Sequence, residues 1–133
     1  MILSVYNRSS VLPYALLAVA ILLTVMGELL LKRGMNLHGE LNIAASTLVP
    51  TVWQLVTNPF ILGGFTLIFS GSLFWLSVIS RIDLSVAYPM LSTGYVLVVL
   101  ASALFLGEQV TALRMLGVFV IVVGVFLVFW SAQ

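Results

Sequence analysis

Cysteine is absent from the 133 residues, which excludes a disulfide framework, a thiolate-held zinc and thiol chemistry. Charge is scarce too: five basic and four acidic side chains make up 7% of the chain, and the net charge of +1 gives no reason to expect a nucleic-acid partner. No nucleophile stands beside a base, no glycine-rich loop is placed to cradle a phosphate, and the single histidine, His38, has no metal-ligand spacing around it. An enzymatic role, a cofactor and a bound metal are therefore not expected. What remains is apolar. With 62% hydrophobic residues and a mean hydropathy of +1.26, the composition lies far outside the range of soluble domains and is that of an integral membrane protein.

Four apolar stretches fill most of the chain: Val11 to Leu31, Phe60 to Ile79, Leu84 to Leu106 and Ala112 to Trp130. At about 1.5 Å per residue, each is long enough to cross a hydrocarbon core of roughly 30 Å. Strand-like alternation is lacking, so helices rather than a barrel must satisfy the backbone. Arg8 precedes the first stretch, but no small-x-small cleavage site follows it, and Lys32 and Arg33 cap its far end, which favours a retained helix over a cleavable signal. The expected fold is all-α: one transmembrane domain over residues 1–133, with four membrane-spanning helices and a short interfacial helix between the first and second.

That interfacial helix is expected in the long connection from Gly34 to Pro59. Its middle, Leu41 to Val56, is apolar, Trp53 suits the headgroup region, and Asn58-Pro59 breaks the chain before the next span. The remaining connections, residues 80–83 and 107–111, are tight and force antiparallel neighbours. Arg8 and Arg81 then fall on one side of the membrane and Lys32, Arg33 and Arg114 on the other, a difference of one charge. So weak a bias fits a chain inserting in both orientations, and equally an accident of small numbers.

Small residues mark close packing. In the fourth span Gly117 and Gly124 are seven residues apart and nearly share a face, a groove for a second subunit or for a neighbouring helix of the same chain. In the second span Gly63, Gly64, Ser70, Gly71 and Ser72 form a comparable surface, suited to tight packing or to lining a cavity. The third span is less generic. Pro89 and Gly94 inside it should free backbone carbonyls and bend the helix, a candidate hinge. Around them Tyr88, Ser92 and Tyr95 recur at spacings of four and three, so their hydroxyls share one side, either bonding neighbouring helices or their own backbone, or facing a substrate.

Charge inside a span is costly, which makes Glu28 and the adjacent Lys32 and Arg33 the first functional candidates. Glu28 and Lys32 are four apart in the favourable order, so a simple ion pair competes with a role in substrate or proton binding. Arg81 and Asp83 suit a tight interfacial loop, with Arg81 also in reach of a headgroup. Glu108 sits in a turn that must be polar in any case, and Arg114 suits an interface anchor.

The run Arg81-Ile82-Asp83-Leu84-Ser85-Val86-Ala87-Tyr88-Pro89-Met90-Leu91-Ser92, continued by Gly94-Tyr95-Val96-Leu97-Val98 and closed by Leu106-Gly107-Glu108, resembles the drug/metabolite transporter superfamily. Gly27-Glu28-Leu29-Leu30-Leu31-Lys32 is similar to a Gly-Gln-x-x-x-Lys pattern of its short members, and Phe74-Trp75-Leu76 and the Gly117 to Gly124 spacing fit as well. The resemblance covers about three quarters of the chain. Full-length relatives have about ten helices in two inverted halves, so a four-helix chain implies a homodimer or a heterodimer with a paralogue, with Gly117 and Gly124 as candidate interface residues.

Two short branches are similar. Small multidrug resistance proteins exchange protons for aromatic cations at a membrane glutamate; here Thr24 stands at that position, Glu28 lies one turn further on, and Leu91 replaces an aromatic partner. The small subunits proposed to flip aminoarabinose on undecaprenyl phosphate across the bacterial inner membrane are closer, in the residues before Lys32, in the long insert with Trp53, and in the Leu84-Ser85-x-Ala87-Tyr88 run into Ser92 and Tyr95. The resemblance implies a flippase for a polyprenyl phosphate-linked sugar, with Glu28, Lys32, Arg33, Trp75, Arg81, Tyr88, Ser92 and Tyr95 as candidate substrate contacts and a basic side chain receiving the phosphate. A proton-coupled exporter using Glu28, and a non-transporting accessory subunit, are the alternatives.

Overall fold

The computed structural model describes residues 11–41, 44 and 46–132; Arg8 lies outside them. Among the described residues six helices run in chain order: α1 Leu12–His38, α2 Leu48–Thr57, α3 Pro59–Ile79, α4 Leu84–Leu91, α5 Thr93–Phe105 and α6 Ala112–Ser131. Taken together as Leu84–Phe105, α4 and α5 form the third of four helical stretches long and apolar enough to cross a membrane. The helix between the first two spans is α2, as expected.

Local chemistry sets the boundaries. Pro13 lies in the first turn of α1, where its missing N–H costs no bond. Asn58 caps α3, its Oδ1 accepting from the Phe60 N–H at 2.9 Å and the Ile61 N–H at 3.4 Å, with Pro59 following in the first turn. Thr111 Oγ1 accepts from the Arg114 N–H at 3.3 Å and caps α6. The expected end of the first span is corrected by the structure: α1 continues past Leu31 to His38, so Lys32 and Arg33 lie within the helix. The chain meets no breaker until Gly39, whose φ of 89° ends it, and Gly34 is meanwhile packed on α3 beside Phe60 and Ile61. The connection therefore begins at Gly39.

The third span is broken rather than smoothly bent. Pro89, inside α4, withholds an N–H from the ladder, and the chain re-forms as α5 after Ser92. The Ser92 N–H bonds the Pro89 carbonyl at 2.9 Å, and the Thr93 hydroxyl donates to the Met90 carbonyl at 2.7 Å. These bonds occupy two of the carbonyls at the break.

The central helix is α1, packed along α3 and also against α4 and α5. Its seam with α3 is made of glycine. A Cβ on Gly27 would lie 2.7 Å from the Gly64 carbonyl oxygen and 2.7 Å from Ile68 Cγ1, and one on Gly71 would lie 3.1 Å from the Ala20 carbonyl oxygen. Among the small residues of the second span, Gly64 and Gly71 thus serve packing. The hydroxyls of Ser70 and Ser72 donate to the Thr66 and Ile68 carbonyls of their own helix. A buried cluster of Leu17, Ile21, Val25, Val78 and Ala87 joins α1 to the end of α3 and the start of α4.

The last helix differs. Only 6% of its most apolar stretch is buried, and a Cβ on Gly117 or Gly124 would meet nothing within 4 Å. Among the described residues, no neighbouring helix of this chain occupies the groove at these glycines. Gly27→Ala is expected to destabilise the protomer by about 1–3 kcal/mol, because a backbone oxygen cannot yield, whereas Gly117→Ala and Gly124→Ala should stay within about 0.5 kcal/mol for the isolated protomer. Unfolding titrations in detergent check the contrast, and a harmless Gly27→Ala would count against the seam.

Candidate functional site

The last three turns of α1 carry two charges on one face, because Glu28 and Lys32 are four residues apart. That face looks toward α5 and the α5–α6 connection. Together Glu28, Lys32, Ser102 and Glu108 line a cleft of about 230 Å³ at the end of the bundle where α3 and α6 begin. Leu29, Val98 and Leu106 supply its apolar wall.

The Glu28–Lys32 pair weighed from the sequence does not form. Lys32 Nζ instead lies 3.5 Å from Glu108 Oε1, the sole salt bridge among the described residues. The reason is the turn at Gly107, whose φ of 68° carries the chain back so that Glu108 faces α1. The Glu108 N–H donates to the Ser102 carbonyl at 3.2 Å and holds the turn against α5. Glu28 is left with no ion pair or hydrogen bond among the described residues. Ser102 is buried, and its hydroxyl donates to the Val99 carbonyl at 3.1 Å.

Arg33 points elsewhere. One residue beyond Lys32, it is rotated by about 100° around the helix, and its guanidinium lies 5.4 Å from the centroid of the Phe60 ring on α3. Arg114 donates to the Gln109 carbonyl at 3.3 Å and ties the α5–α6 connection to the start of α6.

The remaining candidates form a second group toward the other end of the bundle. Between Tyr88 on α4 and Ser102 on α5 the chain rises about 20 Å if continuously helical. Trp75 of α3 and Tyr88 meet edge to face, centroids 5.9 Å apart and planes at 71°. Arg81, in the α3–α4 turn, donates through Nη1 to the Ser77 carbonyl at 2.6 Å, the Ser77 hydroxyl at 2.5 Å and the Ser80 hydroxyl at 3.3 Å, so one nitrogen of its guanidinium is engaged by its own turn. Asp83 offers no side-chain cap to α4; its backbone carbonyl accepts from the Val86 and Ala87 N–H groups instead.

Tyr88, Ser92 and Tyr95 straddle the break between α4 and α5. None of their hydroxyls makes a hydrogen bond among the described residues. Among the described residues they bond neither a neighbouring helix nor their own backbone through these hydroxyls. Gly94 packs against Ile21 of α1, where a Cβ would come within 3.2 Å of Cγ2. No group of three or more potential metal ligands occurs among the described residues.

Residues 2–130 match the EamA-like transporter family. The chain belongs to that family. It is a membrane transporter of the drug/metabolite superfamily, as the third-span motif indicated, and family members are transporters rather than enzymes. With four spans, this EamA-like protein is a multi-pass membrane protein. A relative from Aeromonas salmonicida (strain A449), named a probable 4-amino-4-deoxy-L-arabinose-phosphoundecaprenol flippase subunit ArnE, is 34% identical over 112 residues, 84% of this chain and 92% of the relative. Proteins of the same name from Yersinia pseudotuberculosis serotype O:1b (strain IP 31758) and from Yersinia pestis are each 50% identical over 60 residues, 45% of this chain and 53% of theirs. No solved structure matches this EamA-like chain.

Sequence reasoning missed Ser102 and underrated Glu108. The signal for Glu108 was present: Leu106-Gly107-Glu108 closes the third-span motif, and a glycine before an acid at a helix end is a device for aiming a side chain. Nothing marks Ser102 without the fold. Because both partners of the Lys32–Glu108 bridge remain well exposed to their surroundings, Lys32→Met or Glu108→Gln is expected to cost the EamA-like protomer no more than about 1 kcal/mol. Thermal unfolding in detergent measures this, and a loss of several kcal/mol would make the bridge structural.

Proposed function

We propose that this chain is one subunit of a flippase that moves a polyprenyl phosphate-linked sugar between the leaflets of the bacterial inner membrane. All four spans act as one transporter domain over residues 1–133, in a homodimer or a heterodimer with a paralogue, assembled through Gly117 and Gly124 on the open face of α6. The observation that carries the reading is the mixed-charge cleft between α1 and α5, in a chain related along 84% of its length to a protein named as a flippase subunit. Acid, base and hydroxyl against an apolar wall suit a polar headgroup drawn through a lipid-facing bundle. Lys32, which lines the cleft, would receive the phosphate by charge-assisted hydrogen bonds, with Arg33, turned toward Phe60 at the same end, as the alternative. Arg81 is the weaker candidate, since it lies toward the other end of the bundle and its Nη1 already serves Ser77 and Ser80. Pro89 and Gly94, at the break in the third span, are the proposed hinge, and α2 lies at the membrane interface with its exposed Val49, Val52, Trp53 and Val56 toward the acyl boundary.

A proton-coupled exporter of small cations is the second reading, favoured by the unpaired Glu28 and by the Trp75–Tyr88 aromatic pair, whose tyrosine is 63% exposed. Reconstitution of the full chain, with any subunit that copurifies, into liposomes carrying a labelled polyprenyl phosphate sugar separates the two. The flippase reading expects accelerated exchange of label between leaflets, reduced about tenfold by Lys32→Met through loss of a charge-assisted contact. It is abandoned if the protein neither binds nor moves any polyprenyl phosphate derivative. Cation export that Glu28→Gln uncouples from the proton gradient would establish the exporter instead.

A further inference from the structure

The cleft at the α1–α5 end holds two carboxylates and one ammonium, so it carries an excess of one acid. Its only internal neutralisation is loose. At 3.5 Å the Lys32–Glu108 contact exceeds the roughly 2.7–2.9 Å of a tight charge-assisted bond. Glu28, against the apolar wall of Leu29 and Val98, has no partner at all among the described residues. A carboxylate beside apolar surface is poorly solvated and gains most from a cation brought to it. Ser102 adds an acceptor of fixed direction: its hydroxyl proton is committed to the Val99 carbonyl, which leaves the oxygen lone pairs free. Glu28, Glu108 and Ser102 are thus three acceptors around one space. A primary ammonium has three N–H donors. The volume, about 230 Å³, lies below the roughly 300 Å³ lower end of pockets that enclose drug-sized ligands, which suits a single headgroup and excludes a polyprenyl tail.

We propose that this cleft is an ammonium-recognition site that selects an amino sugar phosphate over its neutral or N-acylated counterpart by exchange of ion pairs. The sugar's ammonium takes Glu108 and Glu28, with Ser102 as third acceptor. Lys32, released from Glu108, turns to the phosphate at the opposite end of the sugar ring. Both charges of the protein's own bridge are replaced by opposite charges on one ligand, and Glu28 shares the ammonium with Glu108, so each charged group in the cleft has a partner of opposite sign. A neutral sugar offers nothing to Glu108 and leaves the bridge closed. The inference rests on the flippase reading and adds the property by which the headgroup is chosen.

The test measures binding of two probes to the full chain, with any copurifying subunit, in nanodiscs: a polyprenyl phosphate bearing a 4-amino sugar, and the same lipid after N-acetylation. The free amine is expected to bind at least about tenfold more tightly, the worth of one charge-assisted contact, and Glu28→Gln combined with Glu108→Gln should bring the ratio to about one. Because the ratio is read within each protein, a general loss of folded material does not imitate this collapse. Equal binding of the two lipids by the unmodified protein would overturn the ammonium site and leave the flippase reading standing. A ratio that survives in the double variant would likewise overturn it. Binding of neither lipid would remove the flippase reading and the inference together, and equal competition by a soluble amino sugar phosphate without the tail would reassign the cleft to a free metabolite.

Discussion

Everything in this bundle hangs on how closely the backbones of α1 and α3 approach. In a hydrocarbon surrounding, apolar side chains gain little by leaving lipid for protein, so helices associate through van der Waals contact and through geometry that lets backbones meet. Gly27 against Gly64, and Gly71 against Ala20, provide that geometry on one face of α1. A second face takes α5, where Gly94 comes to rest on Ile21. With these two contacts made, the rotation of α1 about its axis is settled. Glu28 and Lys32 then face the α5 side and Arg33 faces Phe60.

Polar groups divide into two kinds by how they are satisfied. The hydroxyls of Thr66, Ser70, Ser72 and Thr93 return to carbonyls three or four residues back along the chain. Those of Tyr88, Ser92 and Tyr95, together with the carboxylate of Glu28, have no such return. In an apolar medium the second kind is costly unless water, another chain or a ligand completes it. The three hydroxyl residues straddle the break between α4 and α5, whereas Glu28 lies at the α1–α5 end of the bundle.

Much of this was legible in the sequence, and for physical reasons. Span length, the absence of alternation and the Asn58-Pro59 and Thr111 boundaries are local properties, and the helices follow them. So did the interruption around Pro89. The end of α1 was misplaced because Lys32 and Arg33 look like a membrane boundary, while the helix is prolonged by the packing of Gly34 on α3, a tertiary contact. Lys32 was paired with the nearest acid along the helix, a sound local rule, whereas the Gly107 turn delivers Glu108 from nearly eighty positions away. The candidate residues were recognised singly, and their division into two groups at opposite ends needed the fold.

The prolonged α1 has a consequence for the protein's relation to its bilayer. At 27 residues it is about 40 Å long, some 10 Å more than a typical hydrocarbon core, and tilt or protrusion must absorb the difference. Lys32 and Arg33 lie in the surplus length, so their height above the acyl region follows the thickness of the surrounding lipid. In a thin bilayer the cleft clears the hydrocarbon, and in a thick one it is drawn toward it, until snorkelling of the lysine resists. Membrane thickness is thereby a mechanical variable acting on the electrostatics of the cleft.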